Sequence, residues 1–510
     1  MSDRGGRERS GRRQRPAIPD APGTLRPTFD LPLYRIASEE HITEVHDVSL
    51  RILEEAGIAF YDDESLSILA ANGAEVGPDS VVRFDRNLIE AKLADAPSQW
   101  RHLGRDPDKS ATIGGNHIVF APVAGPPYVQ DAGGGRRPGT YADLVNFIKM
   151  ANATPYLHCQ GTEIVVPNDV PFHERALDIN YAHIRWGTKP MMGHYPIGLT
   201  AQDSIAMARI VFGEDVVASE RVLLCVINVS SPRRLDDRML GSLKTYARAN
   251  QAIVVTPFIL AGAMGPAAVL GTVAQANAEV LATLAFAQMV RPGTACVYGP
   301  FLASVDLQSG SPVMGSAESM LAQALCGQLA ARYNLPFRAA GTYVSSKAVD
   351  MQAGFEGAMS MLSSMLLRPN FVLHAAGWME NGLTTDYEKF ALDIELLGVF
   401  HRLAAGVSWD DDEWALESVL HEVPPGGHHL GTAHTLERFR TAFHRATLFD
   451  TSSYEQWKDA GSKDAAERGG AAWRALLDQY EDPGLDDAID AELQEFMARR
   501  RPQIDPAAFQ

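Results

Sequence analysis

Cysteine is scarce in this 510-residue chain: four occur, at Cys159, Cys225, Cys296 and Cys326, with no CxxC pair among them. That usage excludes a disulfide framework and fits the reduced, buried thiols of a cytoplasmic protein. Positive charge is short as well. A formal net charge of -18 argues against nucleic acid and against an anionic membrane, since both bind through clusters of lysine and arginine. The one basic stretch is MSDRGGRERSGRRQRP at the start, which has no apolar face and reads as a disordered arm over residues 1–30. It also lacks the apolar core of roughly 7–15 residues that a secretion signal needs. The longest apolar stretches, such as AIVVTPFILAGAMGPAAVL, are broken by proline and glycine, so they read as strand, loop and helix start rather than as a membrane span. No GxGxxG follows a first strand, which leaves a dinucleotide-binding sheet without support.

What the chain does have is apolar material, 46% of its residues, arranged in two textures. From residue 31 to 115, EEHITEVHDVSLRILEEAGI, DDESLSILAANGAEV and DRNLIEAKLADA space their apolar residues at three and four, the period of a helical cap region. From 116 to 407, short apolar runs alternate with helical stretches. The runs are HIVFAP, PYLHCQ, KPMMGHY, VLLCVINVS, AIVVTPFILA, GTACVYG, LPFRAAG and NFVLHAAG. Strand followed by helix, repeated around a circle, predicts a TIM (β/α)8 barrel, with an open doubly wound sheet as the competing topology. Residues 408–510 are polar and helical and read as a C-terminal helical extension.

In a barrel the C-terminal strand ends converge on one mouth. They carry His158, His194, Tyr298, Tyr343, His374, Trp378 and Glu380. The three histidines lie in apolar runs, where a satisfied core histidine is the bland reading, and none sits in an HxH or HExxH pattern, so no metal is expected. After the seventh run the chain reads TYVSSKAVDMQAGFEG. Helix capping accounts for Asp350, whereas Glu356, four residues beyond Gln352 and flanked by Phe355 and Met359, calls for a partner. Acidic groups beside the rings of Tyr343 and Trp378 suit a cationic ligand such as an alkylated ammonium.

The runs GPAAVLGTVAQANAEVLATLAFAQMVRPGTACVYG, LPFRAAGTYVSSKAVDMQAGFEG and AAGWMENGLTTDYEKFALDIELLG, with the loop GGHHLGTAHT, resemble the trimethylamine methyltransferase family over nearly the whole chain after residue 30. The resemblance implies a TIM barrel that moves a methyl group from a small methylated amine to the cobalt of a separate corrinoid protein. It implies no tightly bound cofactor, because the cobalamin arrives on its own carrier and no DxHxxG pattern occurs here. It also implies a homo-oligomer. The archaeal trimethylamine enzymes carry pyrrolysine, and this sequence has an ordinary residue at every position. That departure points to the relatives acting on quaternary amines, glycine betaine above all. On this reading Glu356, Gln352 and Asp350 are the catalytic candidates. Tyr343, Trp378, Glu380 and Tyr298 contact substrate, with His158, His194 or His374 receiving its carboxylate. Another betaine, a sulfonium donor, or a barrel that binds without turnover are the rival readings.

Overall fold

The computed structural model describes residues 25, 27, 33–133, 135–194 and 196–509. The expected arm over 1–30 lies outside these except for Leu25 and Pro27. Near the N-terminus the helices Glu39–Arg51, Asp63–Ala71 and Arg86–Leu93 form where expected, each opened by a capping side chain: Ser38, Asp62 and Asp85. They surround a four-stranded sheet that takes its edge strand, Arg234–Leu235, from far along the chain. This registers the N-terminal region against the body.

The body is mostly helical around a six-stranded sheet that is parallel except for its edge strand Pro312–Val313, and a three-stranded parallel sheet. The six-stranded sheet runs Pro312–Val313, Phe301–Val305, Ala252–Ala261, Leu223–Val229, Met191–Met192, with Cys296–Tyr298 also paired to Ala252–Ala261. The three-stranded sheet runs Arg338–Ala339, Phe371–Val372, Val119–Phe120. The closed barrel is therefore corrected: the regular pairing is an open, partial barrel. PYLHCQ forms no strand and contributes only single backbone bonds, such as His158 N to the Phe120 carbonyl and Gln160 N to the Pro190 carbonyl, both 2.9 Å. At the other seam the Tyr298–Phe337 bridge stands alone. The physical reason is strand length. Arg338–Ala339 and Phe371–Val372 extend for two residues before glycine and polar groups turn the chain toward the loops, too short to carry a ladder around the circle.

Helices pack outside these sheets. Val269–Val290 is long and apolar enough to cross a membrane, yet 78% of its most apolar window is buried inside the protein, with its Phe286 packed on Phe60 in the largest core. The last long helices, Ala465–Asp478 and Asp487–Arg500, fold back onto the body. Gly469 packs against the Glu388 backbone, and Arg500 reaches Asp203 at 2.7 Å.

Candidate functional site

A cavity of about 410 Å³ opens at the C-terminal ends of the strands. Strand Leu223–Val229 brings Asn228 to it, and the neighbouring strand brings Thr256, the residue paired with Asn228 in register. Phe301 opens the next strand; Arg338 comes from the short strand of the seventh run, and His374, Trp378 and Asn381 from the end of the eighth run and the hairpin that follows it.

The aromatic wall is continuous. Trp378 lies 4.7 Å from both Tyr343 and His374, ring centre to ring centre, and Phe301 lies 4.7 Å from Tyr343. The Trp378 indole donates to the Val344 carbonyl at 3.2 Å, which fixes the ring among its neighbours. Two glycines allow this crowding. A Cβ on Gly341 would stand 1.9 Å from the His374 carbonyl oxygen, and one on Gly382 (φ +87°) 2.5 Å from the Trp378 ring. His374 itself has φ +65°, a left-handed conformation rare outside glycine and typical of functional sites. Its Nδ1 accepts from the Ala124 backbone at 3.1 Å, placing the ring proton on Nε2. Burial, and then Arg338, hold its pKa well below the usual imidazole range, so the ring is neutral.

Arg338 is the one charged residue among the described residues that line this cavity. Its side chain is almost wholly buried. It donates to the Tyr343 hydroxyl at 2.9 Å and lies 5.3 Å from the centre of the Phe301 ring. Its Nε has no hydrogen-bond partner, and neither have Thr256 Oγ1 nor Asn381 Oδ1. Buried polar atoms are normally paired, so unpaired ones on a single cavity mark where a ligand's polar atoms belong.

Behind the wall a buried carboxylate ties the two turns together. Asp393 Oδ2 accepts from Thr342 Oγ1 and from the Gly377 backbone N–H, both at 2.9 Å, while Oδ1 meets Lys389 Nζ at 2.5 Å. Thr342 precedes Tyr343 and Gly377 precedes Trp378, so one side chain sets the spacing of both rings.

The residues singled out in the sequence divide sharply. His374 and Trp378 line the cavity and Tyr343 backs it. Glu356 does not: Oε2 accepts from the backbones of Ser345 at 2.7 Å and Ser346 at 3.3 Å, and Oε1 from Gln352 Nε2 at 2.9 Å. It clamps a loop. Asp350 caps the Met351–Met365 helix through the Ala353 backbone at 2.9 Å. Glu380 is engaged by Arg136 at 2.9 Å and Thr384 at 2.7 Å. Tyr298 points outward and donates to Asn277 at 2.9 Å. His158 accepts from the Phe120 backbone at 3.0 Å and stacks on Phe120 and His401. His194 is buried, with its carbonyl held by Tyr246 at 2.8 Å; burial, then Arg175, pulls its pKa to about 3. The sequence reading missed Arg338, Thr256, Asn381 and Phe301. A signal for Arg338 was present, an arginine inside the apolar run LPFRAAG. Among the described residues no group of three or more His, Cys, Asp or Glu side chains is placed to hold a metal ion.

A small, ring-lined hollow at strand ends with a fixed positive group and unpaired polar atoms has the features of a binding site for a small organic molecule. The profile of the family described as trimethylamine methyltransferase (MTTB) matches residues 3–505. A glycine betaine methyltransferase of Desulfitobacterium hafniense (strain Y51) is 37% identical over 475 residues, covering 93% of this chain and 98% of the relative. An L-carnitine:corrinoid methyltransferase of Eubacterium limosum is 25% identical over 463 residues, 88% of this chain and 93% of the relative. The chain belongs to the trimethylamine methyltransferase family and is a methyltransferase. The crystal structure of the Methanosarcina barkeri monomethylamine methyltransferase (MtmB) has a similar fold, with a TM-score of 0.52 at 10% identity over 90% of each chain.

Proposed function

We propose that this methyltransferase takes its methyl group from a carboxylated quaternary amine of the glycine betaine type and passes it to the cob(I)alamin of a separate corrinoid protein. The observation that carries the reading is the pairing, on one cavity, of a buried guanidinium that meets no carboxylate among the described residues with an aromatic wall. A guanidinium fork receives a carboxylate, and ring faces hold an ammonium that has no N–H to donate. A simple cation would meet Arg338 with no compensating negative group on the lining. A zwitterion satisfies both ends. The similarity to a glycine betaine methyltransferase supports the same substrate class.

The chemistry asks little of the protein beyond placement. The quaternary nitrogen is already a leaving group: the methyl carbon accepts an electron pair from cobalt as the C–N pair returns to nitrogen, leaving a neutral tertiary amine. No proton moves in that step, which agrees with a lining whose single imidazole is held neutral by burial. The residues bind the carboxylate, aim one N-methyl outward and keep water from the rings. At about 410 Å³ the cavity is at the small end of ligand pockets, which run from roughly 300 to 1,000 Å³. Cobalt then meets the methyl group at the mouth, presented there by its carrier.

The test follows cob(I)alamin methylation spectroscopically with glycine betaine, choline and trimethylamine. Methylation from glycine betaine alone supports the proposal; equal rates from choline, which has no carboxylate, would remove Arg338 as the anchor and with it the substrate class.

A further inference from the structure

Glu163 stands between two parts of the cavity lining. The Gly125 backbone N–H, on that lining, donates to the Glu163 carbonyl at 2.7 Å, and two residues earlier the Gly161 carbonyl accepts from Met192 N at 2.9 Å. From Met191–Met192 the pairing passes to Leu223–Val229, which carries Asn228 to the cavity. On its other side the segment follows the strand order Arg338–Ala339, Phe371–Val372, Val119–Phe120, joined by His158 N to the Phe120 carbonyl. Arg338 and Glu163 are therefore on opposite flanks of the three-stranded sheet.

The Glu163 carboxylate is also unengaged. Among the described residues it accepts no hydrogen bond and meets no cation at ion-pair distance. Its side chain is half-buried, so water reaches it, yet burial pushes its carboxyl up to about 7, with Arg175 offsetting part of the rise. Arg175 itself is turned elsewhere, donating to the Val170 carbonyl at 3.3 Å. Every other described carboxylate that burial raises is bonded: Asp203 to Arg500, Glu279 to Ser231, Asp386 to the Lys389 backbone and Asp393 to Thr342. A carboxylate that the fold leaves open in a concave setting is free to face a charged ligand.

We infer that Glu163 is the counter-charge for the substrate's ammonium, working against Arg338 to orient the zwitterion across the cavity. The inference rests on the betaine-type substrate proposed above. Ring faces hold an ammonium without fixing which way the rest of the molecule points. Opposite charges on two flanks do fix it: carboxylate toward Arg338 and ammonium toward Glu163 is attractive at both ends, and the reverse brings like charges together. A nearby cation favours the ionised carboxylate, so binding draws off whatever proton Glu163 holds at neutral pH, and binding weakens as the pH falls below about 7. His194 and His183, on neighbouring elements, are held by burial at about 3 and about 4 and keep their charge through this range. Asp386 and Lys189 are each shifted by burial to about 7, but both are bonded inside the fold.

Calorimetry on the full chain compares glycine betaine with 3,3-dimethylbutyrate, which keeps the carboxylate and the shape but has carbon in place of nitrogen. The wild-type protein should prefer glycine betaine, and the preference should shrink from about pH 8 to about pH 6. At neutral pH glycine betaine alone should release a fraction of a proton, read from buffers of different ionisation enthalpy. Glu163→Gln should lower the preference about tenfold and abolish the proton release, while still binding 3,3-dimethylbutyrate, which reports an intact fold. Glu163→Asp, which keeps the charge, should restore the preference. Glycine betaine bound by the wild-type protein without proton release, or a preference undiminished in Glu163→Gln, overturns the role of Glu163 and leaves the substrate class standing. Failure of the wild-type protein to bind glycine betaine overturns both.

Discussion

The start of the Met351–Met365 helix and the cavity carry polar groups of similar kinds, yet they differ in one respect. At the helix start each candidate already has its partner: Glu356 is filled by two backbone N–H groups and an amide, and Asp350 by the helix it caps. On the cavity, Arg338 Nε, Thr256 Oγ1 and Asn381 Oδ1 have none. Polar residues that the protein satisfies shape the backbone; those it leaves open are available to a ligand. The acidic groups that looked suited to holding an ammonium belong to the first kind, and an arginine that looked like part of a strand belongs to the second.

Substitutions can break or sharpen that contrast. Arg338→Met should have the largest effect, lowering kcat/KM for glycine betaine on the order of 1,000-fold, since losing one side of a buried charged pair costs about 2–5 kcal/mol; initial rates of cob(I)alamin methylation measure it. Asp393→Ala should cost about 3 kcal/mol of stability by leaving Lys389 buried without its carboxylate, read as a lowered denaturation midpoint, and should raise KM more than it lowers kcat because the two ring-bearing turns drift apart. Trp378→Leu removes a cation–π face worth about 1–2 kcal/mol and should raise the glycine betaine Kd roughly tenfold by calorimetry. Glu356→Gln is the smallest. It loses the charge on a loop clamp, worth about 1 kcal/mol in hydrogen bonding, and should leave methyl transfer within about twofold. A loss as severe as that of Arg338→Met would return Glu356 to the reacting centre and dissolve the distinction.

Parts of this were legible in the sequence and parts were not, for reasons that differ by residue. The alternation of apolar runs and helical stretches reports local burial, so the helical stretches between 116 and 407 could be read, but not the number and order of the strands. Whether the runs pair all the way round depends on contacts between distant segments. PYLHCQ, too polar and turn-rich to hold a ladder, shows how that choice escapes local pattern. Trp378, Tyr343 and His374 were found because they follow apolar runs directly. Tyr298 follows the same rule and turns away from the cavity, since alternate side chains of a strand face opposite sides, while His158, in a run that forms no strand, is held by the Phe120 backbone. Arg338 was passed over for the opposite reason: inside LPFRAAG it occupies a position where sequence pattern expects core.

Gly341 has a consequence for anyone who would retool this enzyme toward other methyl donors. With its α-hydrogen pressed against the neighbouring main chain, the position admits no side chain at all, and any library that varies it will mostly collect collapsed variants. Substrate scope has to be altered from the neighbouring strands, at Asn228 and Thr256, where volume and polarity can change while the rings stay where they are.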